Sequence, residues 1–383
     1  MLSNSFWFRS ETLSTEKLRL RPRGPIPDTK AIACSHQGKI KRSMAPLTVT
    51  VLITTYNYGR FIEQAIDSVF SQDYPLEKIQ IVVVDDGSTD DTSQRIKKYD
   101  SRVEYFFKEN GGQASALNFG LAKARGEIIA LLDADDMFIP SKVICIAEAF
   151  QKNPAVGMVY HQMVEWDVHS NERRALTTPL ISGDLRASPQ QYLTYFVQPA
   201  SCVSFRRSVL NPLLPIPNTI RMLADAYWVI LVPLLSPILA LPESLTVYRI
   251  HGLNSYYADE QKMSAQARTG RGQQIQILIN SMFEWLARNE SVEKEPYVKS
   301  FRSRWDLLSE SLKFENEPPG RWRSFLFFTR QNYVFSFSQS WKFTALKYIC
   351  ACSALLLGYR KAQIWGDGMI EKLSGTAKTS GKG

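Results

Sequence analysis

The stretch that decides the fold reads Ile128-Ile129-Ala130-Leu131-Leu132-Asp133-Ala134-Asp135-Asp136. Its apolar half predicts a buried strand, and three carboxylates follow that strand within four positions. Mg²⁺ and Mn²⁺ prefer oxygen ligands, and Mg²⁺ usually keeps waters and phosphate oxygens beside one or two carboxylates. A solvated acidic turn has the same residue pattern. The stretch by itself therefore leaves a metal site and a plain turn as alternatives.

Upstream of this stretch, strand-like and helix-like segments alternate with short connections. Apolar, β-rich runs predict strands at 47–54, 79–84 and 103–107, and apolar residues at helical spacing predict helices between them. This alternation predicts a parallel α/β sheet, whose ligands lie outside the carboxyl ends of the strands. We therefore expect the polar groups that follow the strand ends to meet in one crevice. These groups are Thr54 and Tyr56, Asp85 and Asp86, Asn110–Gln113, and Asp133–Asp136.

The downstream half of the chain has a weaker pattern. Strands are predicted at 156–164, 201–205 and 245–250, with an irregular loop at 165–187. Residues 222–228 begin a helix whose first turn carries Asp225. From residue 259 the pattern is helical, with helices predicted at 273–289, 295–312, 321–331 and 341–360.

Composition excludes several classes of protein. The chain has 383 residues, 44% hydrophobic and 22% charged, which is typical of a globular protein. The net charge is +9, but six of these charges lie in residues 1–43, so nucleic-acid binding is not indicated. Five scattered cysteines give neither a disulfide framework nor a zinc pattern, which fits a reducing compartment. We expect no secretory signal, because no apolar run lies near Met1, and the apolar runs elsewhere are too short to span a bilayer. We expect a cytoplasmic protein.

Five spaced motifs carry a resemblance. In chain order they are Val51–Asn57 (VLITTYN), Val83–Asp90 (VVDDGSTD), Asn110-Gly111-Gly112, Leu132–Asp136 (LDADD) and Tyr248-Arg249-Ile250-His251. Together they resemble the family 2 glycosyltransferases of the GT-A fold, over residues 47–255. The resemblance implies a Rossmann-like, mostly parallel sheet flanked by helices, followed by a helical C-terminal region. It also implies a nucleotide-sugar donor, Mn²⁺ or Mg²⁺, and transfer with inversion at the anomeric carbon.

Sequence pattern and the resemblance together predict four parts of the chain. Residues 1–43 are predicted to form a basic, flexible leader; the alternative is that this start is mis-called and that translation begins at Met44. Residues 44–258 form the GT-A domain, residues 259–372 a helical region, and residues 373–383 a disordered tail. The basic and aromatic residues of the helical region leave open a peripheral contact with the inner face of the membrane.

Nucleotide-binding positions follow from the same resemblance. Thr54 and Tyr56 match positions that hold the nucleoside. Asp86 matches the acid that binds the uracil edge, and Asp85 helps to shape that pocket. Asp133 matches the acid on the ribose side of the Asp-x-Asp motif.

The remaining positions concern the metal and the base. Asp135 matches the metal ligand on the diphosphate, and His251 matches a position that in some relatives holds the metal or the diphosphate. Asp225 matches the general base. The family more often has Glu-Asp there, whereas this chain has Ala224-Asp225. An inverting transfer needs this single base and no nucleophilic carboxylate.

The resulting expectation is transfer of one sugar from a nucleotide-diphosphate sugar, a UDP-sugar, to a hydroxyl of a glycan or lipid-linked acceptor in polysaccharide or cell-envelope synthesis. Processive synthases of the family carry Gln-x-x-Arg-Trp, whereas Arg304-Trp305 and Arg321-Trp322 have Phe301 and Pro318 in place of the Gln. The alternative is a non-catalytic, nucleotide-sugar-binding scaffold protein. A Rossmann redox enzyme is excluded because no G-x-G-x-x-G follows the first strand.

Overall fold

A computed structural model describes residues 45–176, 178–188, 191–192, 198–252, 254, 265–316 and 323. The predicted leader, the helix predicted at 341–360 and the predicted tail lie outside these residues. The same holds for the helix predicted at 321–331, apart from Arg323.

The first half of the sheet is parallel. Four strands pair in the order β3-β2-β1-β4, and each connection between them contains a helix. The runs are apolar on both faces because helices cover both sides of such a sheet. The elements are β1 (Val49–Thr55), α1 (Gly59–Phe70), β2 (Ile79–Asp85), α2 (Thr92–Ile96), β3 (Glu104–Phe107), α3 (Gln113–Lys123) and β4 (Ile128–Asp133). The alternation predicted from the sequence is confirmed.

The second half makes the sheet mixed. The full strand order is β3-β2-β1-β4-β8-β6-β9-β5, with β7 pairing β6. Strand β8 runs antiparallel to β4 and β6, while β6 and β9 are parallel to each other. The elements are β5 (Met137–Phe138), α4 (Lys142–Lys152), β6 (Met158–Asp167), β7 (Arg173–Leu176), β8 (Val203–Arg206), α5 (Arg207–Leu210), α6 (Ala224–Leu231) and β9 (Ile238–Ile250).

Two differences from the sequence prediction occur in this half. The segment predicted as an irregular loop contains the end of β6 and all of β7, and Glu165 of β6 pairs with Arg174 of β7. Strand β9 begins seven residues before the predicted start at Leu245. Pro242 weakens the strand pattern there. The ladder accommodates it with a bulge, because the β6 partners pass from Leu241 to Ser244 and Pro242 and Glu243 are skipped.

The described chain divides into two compact units. One comprises residues 45–185 and 198–288, and it contains the whole sheet and helix α7 (Ala265–Arg288). Its core packs apolar residues of β1, β2 and β4 against α1 and α4. The other unit comprises the described residues from 186 to 192 and from 289 to 316, with helices α8 (Glu290–Glu293) and α9 (Val298–Asn316). None of the helices in the described residues is long and apolar enough to cross a membrane.

Inside the second unit, residues of α9 pack against Tyr192. Arg304 donates to the carbonyl of Tyr192 at 2.6 Å, and the Phe301 ring lies edge-on to Tyr192 and close to Trp305. The boundaries proposed for the four parts of the chain stay predictions.

Candidate active site

Strand register brings the predicted polar groups to one edge of the sheet. Thr54 of β1 lies opposite Asp133 of β4, and Thr55 lies opposite Asp85 of β2. Because the strands are parallel, their carboxyl ends coincide, as the alternation predicted. Tyr56 follows directly and its side chain is 48% exposed.

Asp85 and Asp86 both accept hydrogen bonds from the protein. Asp85 accepts from the Ser88 backbone N–H at 2.7 Å and from the Tyr105 hydroxyl at 2.8 Å, so it fixes the turn after β2. Asp86 is buried at the start of the same turn. A carboxylate has about four acceptor positions.

Three donors contact Asp86. Lys108 Nζ donates to Oδ1 at 2.7 Å, Gly111 N–H to Oδ1 at 3.0 Å and Gly112 N–H to Oδ2 at 2.7 Å. Asp86 therefore anchors the Asn110-Gly111-Gly112 loop and retains capacity for one further donor. Sequence reasoning did not single out Lys108.

The predicted metal ligands, Asp135 after β4 and His251 after β9, lie in contact with each other. His251 Nε2 lies 2.9 Å from Asp135 Oδ2. Asn254, which the sequence did not reveal, donates to the same carboxylate oxygen at 3.3 Å and accepts from the His251 backbone N–H at 2.9 Å. The His251 ring lies 4.6 Å from the Phe61 ring, centroid to centroid. These contacts fix the orientation of both ligands, as outer-shell partners do in metal sites.

The acidic turn has the chemistry of a cation site. Burial and the Asp136 charge raise the pKa of Asp133, and burial and the Asp135 charge raise the pKa of Asp136. Crowded carboxylates of this kind are stabilised by a divalent cation. The described residues hold no group of three or more His, Cys, Asp or Glu side chains arranged for a metal. Two protein ligands still fit Mg²⁺ or Mn²⁺, which take water and phosphate oxygens for the rest.

Lys142 of α4 lies beneath this turn, fully buried. Its Nζ donates to the Ser201 carbonyl at 2.6 Å and lies 3.6 Å from the centroid of the Phe138 ring. Ser201 Oγ in turn accepts from the Asp133 backbone N–H at 3.0 Å. Burial lowers the pKa of Lys142 to about 7, although the charges of Asp136 and Asp133 oppose this.

Sequence reasoning missed Lys142, although a signal was present. Helical spacing from Ile146 and Phe150 puts Lys142 on the buried face of α4. A lysine on such a face is rarely fully buried unless it has partners.

Asp225 lies in the first turn of α6, after Leu223, which adopts a left-handed backbone with φ of 60°. Gln113 Nε2 donates to Asp225 Oδ1 at 3.3 Å. Burial raises the pKa of Asp225 to about 6, opposed by backbone N–H groups and by Gln113. A carboxylate whose pKa lies near the working pH is suited to accept a proton.

Known proteins are similar to this chain in sequence. An uncharacterized glycosyltransferase of Nostoc sp. is 33% identical over 279 residues, which cover 68% of this chain and 85% of that protein. The sequence model of glycosyl transferase family 2 matches residues 50–214. The chain belongs to glycosyl transferase family 2. An uncharacterized glycosyltransferase of Rickettsia typhi is 34% identical over 133 residues, or 34% of this chain and 41% of that protein. The predicted family and the predicted class of enzyme are confirmed.

Solved structures of other proteins are similar in fold to this glycosyltransferase. Residues 1–349 of S. aureus TarS align with a TM-score of 0.56 and 16% identity, covering 84% of this chain and 92% of that chain. The same protein in complex with UDP-GlcNAc aligns with a TM-score of 0.55 and 18% identity, with the same coverage. The predicted GT-A type fold, a mostly parallel sheet flanked by helices with a helical C-terminal region, is confirmed.

Proposed function

We propose that this family 2 glycosyltransferase transfers one sugar from a UDP-sugar to a hydroxyl of a glycan or lipid-linked acceptor, with inversion at the anomeric carbon. One observation carries the proposal. Gln113, which begins α3 after the end of β3, donates to Asp225 Oδ1 at 3.3 Å, and the charge of Asp225 raises the pKa of Asp133 at the end of β4. An acid that can act as a base therefore lies at the same sheet edge as the Asp-x-Asp turn.

The nucleotide would lie along the ends of β1, β2 and β4. The exposed ring of Tyr56 is suited to stack on the base, and the remaining acceptor position of Asp86 to accept its N–H. Thr54 and Asp133, opposite each other, would hold the ribose side, while Asp85 keeps the turn in shape. The complexes of the TarS fold relative with UDP and with UDP-GlcNAc support a UDP-sugar as donor.

Asp135 and His251 would hold Mn²⁺ or Mg²⁺ at the diphosphate. Their 2.9 Å contact supports this, because an oxygen and a nitrogen ligand already point to one place. A bound divalent cation would act as a Lewis acid that stabilises the charge developing on the leaving diphosphate.

Asp225 would supply the base. Its carboxylate accepts the proton of the acceptor hydroxyl while that oxygen bonds to the anomeric carbon. The bond from that carbon to the diphosphate oxygen breaks at the same time, and UDP leaves with the bonding electrons. One displacement inverts the anomeric centre, so no second nucleophilic carboxylate is needed. Cytoplasmic location and a peripheral membrane contact are further parts of the proposal.

The test uses the full-length protein with Mn²⁺ and a panel of UDP-, GDP- and dTDP-sugars. Calorimetry measures binding, and release of free nucleotide measures turnover of the donor with water as acceptor. We expect UDP-sugars to bind most tightly and to be hydrolysed. Tighter binding of GDP- or dTDP-sugars would overturn the donor class. Binding of every UDP-sugar without any turnover, also with glycan acceptors, would favour the alternative of a non-catalytic scaffold.

A further inference from the structure

Gln113, the first residue of α3, contacts the segment that precedes and carries Asp225 at three atoms. Its backbone N–H donates to the Arg221 carbonyl at 3.0 Å. Its Oε1 accepts from the Ala224 N–H at 2.8 Å, and its Nε2 donates to Asp225 Oδ1 at 3.3 Å. One side-chain amide therefore binds both the start of α6 and the carboxylate on that helix.

The backbone at Gly112, next to Gln113, allows the segment at Arg221 to approach closely. Gly112 has a φ of +86°, and a Cβ at this position would lie 2.9 Å from Arg221 Cα. The left-handed backbone and the close approach both require glycine. Gly112 N–H also donates to Asp86 at 2.7 Å. The loop is thus tied to the turn after β2 on one side and to the start of α6 on the other.

We infer that Gln113 is a positioning residue for Asp225, fixing the direction of its carboxylate and stabilising its ionised form. The inference rests on the proposed role of Asp225 as the base. A neutral amide suits this task because it donates to the carboxylate without titrating itself. Hydrogen bonds to the charged form of an acid favour ionisation.

Charged side chains also act on Asp225 or on its helix. Among the described residues, Asp133 at the end of β4 interacts electrostatically with Asp225. Glu284 and Arg288 of α7 act on Tyr227, on the same helix as Asp225. Burial raises the pKa of Asp225 to about 6, and the Gln113 amide lowers it. Loss of that amide N–H should therefore raise the pKa further.

The experiment measures the pKa of Asp225 without any substrate. NMR of protein labelled at the aspartate carboxyl carbons follows each carboxyl group through a pH titration, and Asp225→Asn identifies the Asp225 signal. Gln113→Leu removes both side-chain contacts. Gln113→Glu keeps the shape and an acceptor for Ala224 but replaces the donor with a negative charge. Gln274→Leu is the matched control, because Gln274 Oε1 accepts from the Arg221 N–H at 3.0 Å in the same segment.

We expect Gln113→Leu to raise the pKa of Asp225 by about one unit and Gln113→Glu by more, with no change for Gln274→Leu. If Gln113 had only a structural role, Gln113→Leu and Gln274→Leu would both lower the melting temperature, and neither would change the pKa of Asp225. An unshifted pKa in Gln113→Leu overturns the inference, and Gln113→Met, which also lacks the amide donor, decides in the same way if Gln113→Leu does not fold. Donor turnover by Asp225→Asn would instead refute the proposed base, whatever the titration shows.

Discussion

The imidazole of His251 contacts the carboxylate of Asp135 at 2.9 Å, which joins the end of β9 to the turn after β4. Asn254 contacts the same carboxylate oxygen and the backbone N–H of His251. These contacts thus fix the orientation of both proposed ligand side chains before a nucleotide binds. Pre-oriented ligands lower the cost of binding a cation, because less side-chain freedom is lost.

Asp135→Ala should abolish the metal dependence of nucleotide binding. We expect the wild-type protein to bind UDP about tenfold more tightly, or more, with Mn²⁺ than without it, and the variant to bind equally in both conditions. Calorimetric titration with UDP measures this. Asp73→Ala is the control, since Asp73 is exposed and is not among the predicted ligands. An Asp135→Ala protein that keeps the Mn²⁺ enhancement would exclude Asp135 as a ligand.

Asp225→Asn should lose turnover but not nucleotide binding. Asparagine has nearly the same shape but cannot accept the hydroxyl proton, so we expect a loss of about 10²–10⁴-fold in turnover. Affinity for UDP with Mn²⁺ should change by less than about twofold, because Asp225 is assigned no contact with the nucleotide. Nucleotide release and calorimetry on one preparation give both values. Wild-type turnover by the variant would show that another group is the base.

The raised pKa of Asp225 predicts opposite pH effects on activity and stability. Turnover should fall as pH falls through about 6, because the base becomes protonated. Between the ordinary carboxyl pKa and about 6, the folded state binds a proton that the unfolded state has released. The ionised carboxylate therefore destabilises the fold above this range. Asp225→Asn should be more stable than wild type at about pH 8, by at most about 3 kcal/mol, and not at about pH 4.

Thermal unfolding at the two pH values checks this second effect. A stability difference of the same size in both conditions would mean that Asp225 titrates at an ordinary carboxyl pKa.

Lys142→Met should weaken nucleotide binding in the presence of Mn²⁺ by about tenfold. The Lys142 side chain lies beneath Asp133 and Asp136, and its Nζ donates to the Ser201 carbonyl at 2.6 Å, so the substitution removes a contact that orients the turn. The melting temperature should not fall, because burying an ammonium is costly and methionine fills the same space. Lys152→Met, on the exposed side of the same helix, is the control. Unchanged UDP affinity would leave Lys142 with a packing role only.

Gly112→Ala should destabilise the protein by about 1–3 kcal/mol, because alanine is strained at a φ of +86°. Its Cβ would also approach Arg221 Cα to 2.9 Å and push α3 away from the segment before α6. Denaturant unfolding measures the change. Gly270→Ala in α7 is the control, since a Cβ there meets nothing within 4 Å. A loss of stability at Gly270 and not at Gly112 would contradict this explanation.

Much of the fold could be predicted from short stretches of sequence. The apolar run before Asp133 and the glycine pair after Asn110 specify their strand and turn through local periodicity and backbone preference. The same local signals did not predict the strand at 173–176, which is polar and forms only by pairing with β6. They also missed the first part of β9, because the bulge that accommodates Pro242 depends on the partner strand.

By itself, then, the sequence determined the parallel half of the sheet, the motifs that carry the family resemblance and the edge at which Asp133 and Asp135 were expected, whereas the role of Asp225 was implied only by that resemblance. These follow from residue types at fixed spacings within single elements. Only the tertiary structure decided which side chains hold that site in place. Gln113 contacts the Asp225 helix, Lys142 lies beneath the acidic turn, and Asn254 orients the pair of proposed metal ligands. The contacts of Gln113 with Ala224, of Lys142 with Ser201 and of Asn254 with Asp135 join residues that are distant in the chain, and no local pattern encodes the packing that brings them together.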